Sequence, residues 1–548
     1  MKNHIKNKLI AAAAGIALLG AGSCTNLDET LYGQSYKDDF YRNRTEVMQS
    51  VFRPYSHLAW CMLPWSGNTW WYHAEMSADQ LAWPRKGRHG EDGGDHYRQH
   101  YHTWTIRESR INGAWSGFWT GVGYANATLE DLEGLNLQSL GFSDAERTEL
   151  LAELHVLRAF YYLKIMQLWG NVPIVTKTGT PIDPPTKPRS EVFAFIKDEL
   201  EANVPRLPRY EPKLVGRVTQ TAGYAMLAEL YLNAEYATGQ AMWDECIAAC
   251  DKIINGDAGS LAGSAPALAK DLLETFSNTN QNASEALFQN AFSKNTGGWY
   301  AGLLYGYDDN IGKVLRSNEG GWNAIVTIPS AFDAFEDGKD RRKTEWFLFG
   351  PQYEYGTNIP VLLTEEGKGQ PLVYVNTIRR ELSDGDNTSQ GGMSQGEENS
   401  GARFHKYRRG TQDDPNHQNN HWIYYRLTEI YFNKAEALMR KNGGTASQQA
   451  VDLVNASRVR AFTNVTDWDI DPNAKYTTGT LTMDELLAEL GREFIFEGKR
   501  RTDLIRFGKF HSTDWWDHKA HNDKNRELFP IPETQIGANP NLNQNPGY

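Results

Sequence analysis

Two short stretches of this chain repeat one another. Glu229-Leu230-Tyr231-Leu232-Asn233 returns as Glu429-Ile430-Tyr431-Phe432-Asn433. Each copy runs into a glycine-bearing turn, Gly239 or Gly443-Gly444, with a second helical pattern behind it. A helix–turn–helix unit of this size cannot bury its apolar face alone, so it stacks on others like it. The pattern therefore predicts a layered helical array. Irregular spacing between the copies predicts that the array is interrupted; the alternative is two similar amphipathic helices by coincidence.

Other segments carry the same period. Ser143-x-x-Glu146 is a capping box, and Leu150, Leu154, Leu157, Tyr161, Ile165 and Leu168 follow at three- and four-residue spacing until Gly170 and Pro173 stop the helix. Helices are predicted from about Thr221, over Trp243 to Ile254, over Trp422 to Arg440 and Ser447 to Phe462, and behind a second capping box, Thr482-x-x-Glu485. The units resemble tetratricopeptide repeats. The expected fold is mostly α: a tetratricopeptide-like helix-pair scaffold over residues of about 143–257 and 421–510, with a large irregular, loop-rich half. The irregular parts are a Gly/Asn/Ser-rich insertion at about 258–420, a stretch from about Trp60 to Gly123 within the aromatic-rich region 24–135, and an extended, Pro- and Asn-rich tail at 529–548.

The chain opens with Lys2, Lys6 and Lys8, an apolar run from Leu9 to Gly20, then Ala21-Gly22-Ser23 and Cys24. A basic region, a short apolar region and small residues make a secretory signal, and the run is too short to span about 30 Å of hydrocarbon. Small residues against a cysteine resemble a bacterial lipobox, although Ala21 stands where Leu is usual. Residues 1–23 are thus read as a lipoprotein signal peptide and Cys24 as the lipid anchor of a single domain, 24–548. Ordinary secretion with a nearby free cysteine is the alternative. Losing three lysines takes the formal charge from −12 to −15, which disfavours nucleic acid as a partner. Of the remaining cysteines, Cys246 and Cys250 lie four apart on a predicted helix and are expected to pack as small apolar residues rather than bridge.

Eight tryptophans fall between Trp60 and Trp119. Most are expected to plug gaps, and one to three to stand exposed as platforms for the apolar faces of sugars. The best local constellation is Asp79-Gln80-Leu81-Ala82-Trp83-Pro84-Arg85, which sets a carboxylate, a ring and a guanidinium on one extended segment. Gly297-Gly298-Trp299 and Gly320-Gly321-Trp322 put rings behind flexible glycine pairs, and Tyr305, Tyr307 and Trp346 are weaker candidates. His89, His96, His100 and His102 cluster with Asp92 and Asp95, but their spacing fits no zinc signature, and no metal or cofactor is expected. Asp467-x-Asp469-x-Asp471 reads as a capped turn rather than a calcium loop. No nucleophile elbow, metalloprotease helix, phosphate loop or dinucleotide fingerprint occurs. The pairs Glu365-Glu366 and Glu397-Glu398 read as solvated, and Lys499-Arg500-Arg501 as a salt-bridged helix end.

Several segments, taken in order, resemble the SusD/RagB family of outer-membrane lipoproteins over nearly the whole length. They are Leu157-Arg158-Ala159-Phe160-Tyr161-Tyr162, Trp169-Gly170-Asn171-Val172-Pro173, Gly216-Arg217-Val218-Thr219, Arg426-Leu427-Thr428-Glu429, Gly491-Arg492-Glu493-Phe494 through Glu497-Gly498, and the tail from Phe529-Pro530-Ile531-Pro532. The resemblance implies four helix pairs as scaffold, a variable half that carries the ligand site, and no chemistry. It implies a cell-surface protein that binds oligosaccharide and acts as a lid over a SusC-type TonB-dependent outer-membrane transporter. Asp28 and Glu29 resemble the acidic signal that sends such lipoproteins to the outer face of the outer membrane. The expected glycan-binding residues are Asp79, Trp83, Arg85, Trp299 and Trp322. Two alternatives stay open on the sequence: a secreted helical glycosidase, and a protein-interaction scaffold with no small ligand.

Overall fold

The structure is a computed structural model. It describes residues 40–548 except 65, 88, 180, 262, 264, 294–309, 318–320, 383–391, 415–418, 465 and 467, so Cys24, Trp299, Tyr305 and Tyr307 lie outside the described residues. The chain divides into residues 1–47 and 48–548. In the first part, Arg42, just before helix α1 (Arg44–Met62), pairs with Glu46 in its first turn at 3.0 Å. The remaining elements belong to the second part.

The scaffold is a stack of helices. α4 (Ser109–Gly134) packs on α5 (Asp144–Trp169), α5 on α6 (Arg189–Asn203), α6 on α7 (Gln220–Leu232), and α7 on α8 (Trp243–Ile254). α8 then packs directly on α9 (Leu427–Lys441), and α9 on α10 (Gln448–Arg458). The insertion thus leaves after α8 and returns at α9 without opening a gap in the stack. Ser143 and Glu146 form the expected capping box at the start of α5, which is buried on nearly every side from Leu150 to Trp169.

The stretch from Trp60 to Gly123, expected to be irregular, is about half helical. It contains α2 (Trp70–Met76), capped by Thr69, then α3 (Asp95–His100) and most of α4. Four glycines, Gly113, Gly117, Gly121 and Gly123, made α4 look like loop. Gly121 is instead a contact residue: a methyl there would overlap the Tyr161 ring of α5, so glycine permits the close approach of the two helices. Tyr161 also donates to Pro54 O at 2.7 Å, while Ser50 O, deprived of the amide that Pro54 lacks, accepts from Thr128 Oγ1 at 3.3 Å.

The repeated segments meet in space. Glu229 pairs with Lys164 at 2.6 Å and Glu429 with Lys499 at 2.9 Å, and both glutamates border one cavity of about 20 Å³, room for about one water. Cys61, Cys246 and Cys250 are buried and unbridged.

The insertion is fastened by short antiparallel pairs: β1 (Leu81–Ala82) with β3 (Val326–Thr327), β2 (Ala286–Asn290) with β8 (Trp422–Arg426), β4 (Phe347–Leu348) with β7 (Arg403–Phe404), and β5 (Gly350–Pro351) with β6 (Val373–Tyr374). It is also fastened by charge. On α11 (Met483–Phe494), Glu493 receives Arg342 at 3.1 Å, Arg426 at 2.9 Å and Arg460 at 3.1 Å, and Glu489 receives Arg342 at 2.8 Å. Glu497 binds Lys406 at 2.6 Å and Arg426 at 2.8 Å. These groups are buried, so each charge depends on its partners for the solvation that water would give. The Gly491–Gly498 motif is thus the anchor between insertion and helices.

The tail is pinned near its two ends and lies over the surface between them. Phe529 and Ile531 are fully buried, Glu533–Ala538 is helical, and the buried Asn545 donates to Trp169 O at 2.7 Å and Phe529 O at 2.8 Å. Its prolines and asparagines suit turns that side-chain amides can satisfy.

Candidate glycan-binding face

The pairing of β1 with β3 determines what can meet. Leu81 faces Thr327 and Ala82 faces Val326, which joins the strand that runs on to Trp83–Arg85 to the strand preceded by Trp322–Ile325. Lys86 adds a second tie between the two segments: its buried Nζ donates to Ala324 O at 2.5 Å. Burial, with Arg403 nearby, pulls the Lys86 ammonium well below its usual range. Lys86 and His89 exchange backbone hydrogen bonds of 3.0 and 2.8 Å around Gly87, whose φ of 52° suits glycine. Two segments some 240 residues apart in sequence therefore form one platform.

The five sequence-predicted residues fare differently. The Trp322 ring is 54 % exposed. Asn323 beside it has φ 47°, a left-handed turn that Asn tolerates, and its Oδ1 accepts from the buried Arg403 Nη1 at 2.8 Å. The backbone under Trp322 is thereby pinned while the ring faces water. Arg85 is partly exposed, its amide donates to Met393 O at 2.7 Å, and its guanidinium meets Glu91 at 3.2 Å. Such an exposed pair is worth little, so Arg85 can exchange it for a ligand hydroxyl.

Trp83 is half-buried, stacked on His96 at 3.9 Å with the planes 12° apart. Burial holds His96 neutral, at about 3, and the ring bonds Tyr72 at 2.8 Å and Asp92 at 2.9 Å. Asp79 gives its carboxylate to Arg500 on α12 (Arg500–Arg506), through bonds of 2.7 and 2.8 Å. Asp79 and Trp83 therefore brace the platform that presents Arg85 and Trp322.

The remaining candidates sort by burial. Of the Trp60–Trp119 group, Trp70, Trp71, Trp104 and Trp115 are in the core and Trp60 is 65 % exposed. Trp346 is buried beneath the Lys406 ammonium, 3.8 Å from the ring centroid, and presents no surface. Glu397 and Glu398 are buried, not solvated. Glu398 accepts the amides of Thr364 at 3.0 Å and Glu365 at 2.7 Å, and Glu397 those of Glu381 and Leu382 at 2.7 and 2.8 Å, which ties loops together. In the Lys499–Arg501 run, Lys499 and Arg500 pair with Glu429 and Asp79, while Arg501 donates to Gln167 O and Glu527 O. His100 ends α3, and His102 follows two residues beyond it. Asp471 caps Asn473 N at 2.8 Å, as a turn does.

Sequence reasoning missed a second exposed aromatic group. Phe349, Tyr353, Tyr355 and Ile359 are 46 to 56 % exposed around β5. β4 leads into this segment, and its partner strand β7 contains Arg403, which holds Asn323. The odd-numbered aromatic alternation Phe347, Phe349, Tyr353, Tyr355 was the available signal.

A roomier cavity of about 740 Å³ lies elsewhere, between the ends of α6 and α7 and the segment Ile505–Leu528. Its arginines are already committed: Arg189 to Tyr236 O and Ala237 O, Arg440 and Arg506 to Glu436. We regard it as a seam of the scaffold, because exposed rings and exchangeable charge are found at Trp322 and Arg85.

Residues 284–548 match the SusD family, and residues 85–232 match a family described as starch-binding, associating with the outer membrane. The starch-binding protein SusD of Bacteroides thetaiotaomicron is 27 % identical over 449 residues, 75 % of each chain. A SusD superfamily protein from Parabacteroides distasonis superposes with a TM-score of 0.69 at 19 % identity, covering 92 % of this chain and 98 % of that one. Surface glycan-binding protein A from Bacteroides thetaiotaomicron, in complex with laminarihexaose, gives 0.66 at 19 % identity, covering 92 % and 99 %. The ordered motifs, the uninterrupted helix stack and these matches lead to one conclusion: the chain belongs to the SusD/RagB family.

Proposed function

We propose that this chain captures oligosaccharide at the cell surface and passes it, as a lid, to a SusC-type TonB-dependent transporter, held at the outer membrane by lipid on Cys24. The observation that carries the reading is Trp322, 54 % exposed on a pinned backbone that Lys86 ties to the segment of the partly exposed Arg85, in a chain of this family. A flat ring meets the C–H face of a sugar, and a guanidinium reaches its hydroxyls. Among the described residues no helix is long and apolar enough to cross a membrane, which fits attachment through a terminal lipid. A lid must also release its cargo, so micromolar to millimolar affinity, about −8 to −4 kcal/mol, is enough.

The starch and laminarihexaose named for relatives make soluble starch and laminarin the first probes. Retarded migration in native gels containing either polysaccharide, with saturable heat of binding and no release of reducing sugar, is the expected result. Turnover at enzymatic rates would replace this reading with a glycosidase. Full mobility against a broad polysaccharide panel would leave a protein-interaction scaffold.

A further inference from the structure

Three histidines from the two ends of the chain converge beside the platform. His102 and His518 are buried and His521 is half-buried, and one ring nitrogen from each lies within 4.8 Å of the others. Their outer bonds select which nitrogens face inward. His102 Nε2 donates to Ser77 O at 2.8 Å, which leaves the Nδ1 lone pair toward His521 Nε2, 2.9 Å away. His518 Nδ1 donates to His100 O at 2.8 Å, which leaves Nε2 bare, and that buried atom has no hydrogen-bond partner. Metal-binding histidines characteristically donate their second ring nitrogen to a carbonyl, because this fixes the tautomer and the ring orientation.

Packing holds the rings in place. His518 stacks on Trp515 at 3.8 Å with the planes 2° apart, and His102 on Phe510 at 4.3 Å. The backbone is bent to deliver them: His102 at φ 55° and Asn522 at φ 54° occupy the left-handed region, which non-glycine residues adopt at a cost.

We propose that His102 Nδ1, His518 Nε2 and His521 Nε2 form a binding site for a divalent transition metal of the zinc class, with water as fourth ligand. Neutral imidazoles with no thiolate suit zinc, copper or nickel, whereas calcium and magnesium require oxygen ligands. Tetrahedral coordination at 2.0–2.1 Å places ligand nitrogens about 3.3 Å apart, so on binding the His102–His521 pair opens slightly from 2.9 Å and the wider separations, at most 4.8 Å, close by up to about 1.5 Å. The metal replaces the proton that His521 shares with His102. His521 then carries its proton on Nδ1 and releases the Asp523 amide, now donating to that atom at 3.1 Å. His521, the least buried of the three, is the ring with room to turn. Bound metal would clip the segment of Phe510 to His521 onto the segment of Ser77 to His102, stiffening a base that adjoins Trp83 and Arg85.

Chelator-stripped protein titrated with zinc sulfate by calorimetry tests this. One equivalent is expected to bind, and cobalt(II) in its place should give the visible absorption of a tetrahedral nitrogen site. His521→Ala, at the half-buried position, should weaken binding more than about 10-fold, a loss at least as large as outer-shell changes produce. His518→Ala should abolish the cobalt spectrum, and His89→Ala should leave both unchanged. Binding of less than one equivalent, or a His521→Ala isotherm identical to that of the parent, would overturn the proposal.

Discussion

The carboxylate of Asp79 is clasped by the guanidinium of Arg500, Nε to Oδ1 at 2.7 Å and Nη2 to Oδ2 at 2.8 Å. The two residues lie 421 positions apart, and the pair joins the platform segment to α12. Asp79→Ala removes two charge-assisted bonds and leaves Arg500 with the Leu487 carbonyl at 2.7 Å. Chemical denaturation should show a loss of about 1–3 kcal/mol. Glycan affinity should fall only as far as the platform loosens, well short of the effect of removing Trp322.

Trp322→Ala and Arg85→Ala touch exposed groups, so unfolding free energy should stay within about 0.5 kcal/mol of the parent. Binding to whichever polysaccharide retards the parent should weaken, roughly 10-fold for each 1.4 kcal/mol of binding free energy removed. Trp346→Ala is the contrast: its ring is buried, and the cavity should cost about 3–5 kcal/mol. Equal binding by Trp322→Ala and parent would remove that residue from the site.

Glu75 is fully buried on α2, where its Oε1 accepts the Gly498 amide at 2.6 Å and its Oε2 has no partner. Burial pushes its carboxyl up to about 8 from an ordinary 4.5. The folded protein therefore holds a proton that the unfolded chain releases above pH 4.5, so stability falls as pH rises from 4.5 to 8. Glu75→Gln cannot ionise and still offers an oxygen to Gly498. Denaturation curves of variant and parent should converge below pH 4.5, and at pH 7–8 the variant should be more stable by on the order of 1 kcal/mol or more.

Gly121 and Gly123 lie two residues apart on α4 and should respond oppositely to alanine. At Gly121 the new methyl meets the Tyr161 ring, and overpacking should cost about 1–3 kcal/mol. At Gly123 nothing lies within 4 Å, and the gain in helix propensity should stabilise by up to about 1 kcal/mol. Thermal melts of the two variants would check the sign of each.

Glu493 binds three arginines in a dry interior. Glu493→Gln removes the charge that compensates them, and a loss of about 3–5 kcal/mol is expected in denaturant titrations. A change below about 1 kcal/mol would mean that the neighbouring glutamates carry the arginines without it.

The helices were legible where period and caps agreed. Ser143 and Glu146 announce α5, and Thr482 with Glu485 announces α11. α4 was not legible, because its glycines read as loop until Tyr161 stood against Gly121. The buried Glu397 and Glu398 were misread for a related reason: a carboxylate pair looks solvated unless the amides it will bind, at Thr364 and Glu381, are already nearby. At the candidate site, the residue types were legible and their division of labour was not. Asp79 and Arg85 look alike as polar neighbours of Trp83, yet one is consumed by Arg500 and the other faces water.

By itself the sequence determined what repeats and what is local: a mostly helical stack, its caps, the family motifs and the tryptophans from which a sugar platform could be chosen. These arise from period and from neighbours within a few residues, which a linear chain displays. Only the tertiary structure decided which ends meet. It tied the segment of Trp322 to that of Arg85 through β1, β3 and Lys86, gathered three arginines on Glu493, and brought His102 to His518 and His521. Such contacts depend on how distant segments pack in three dimensions, and no spacing along the chain encodes them.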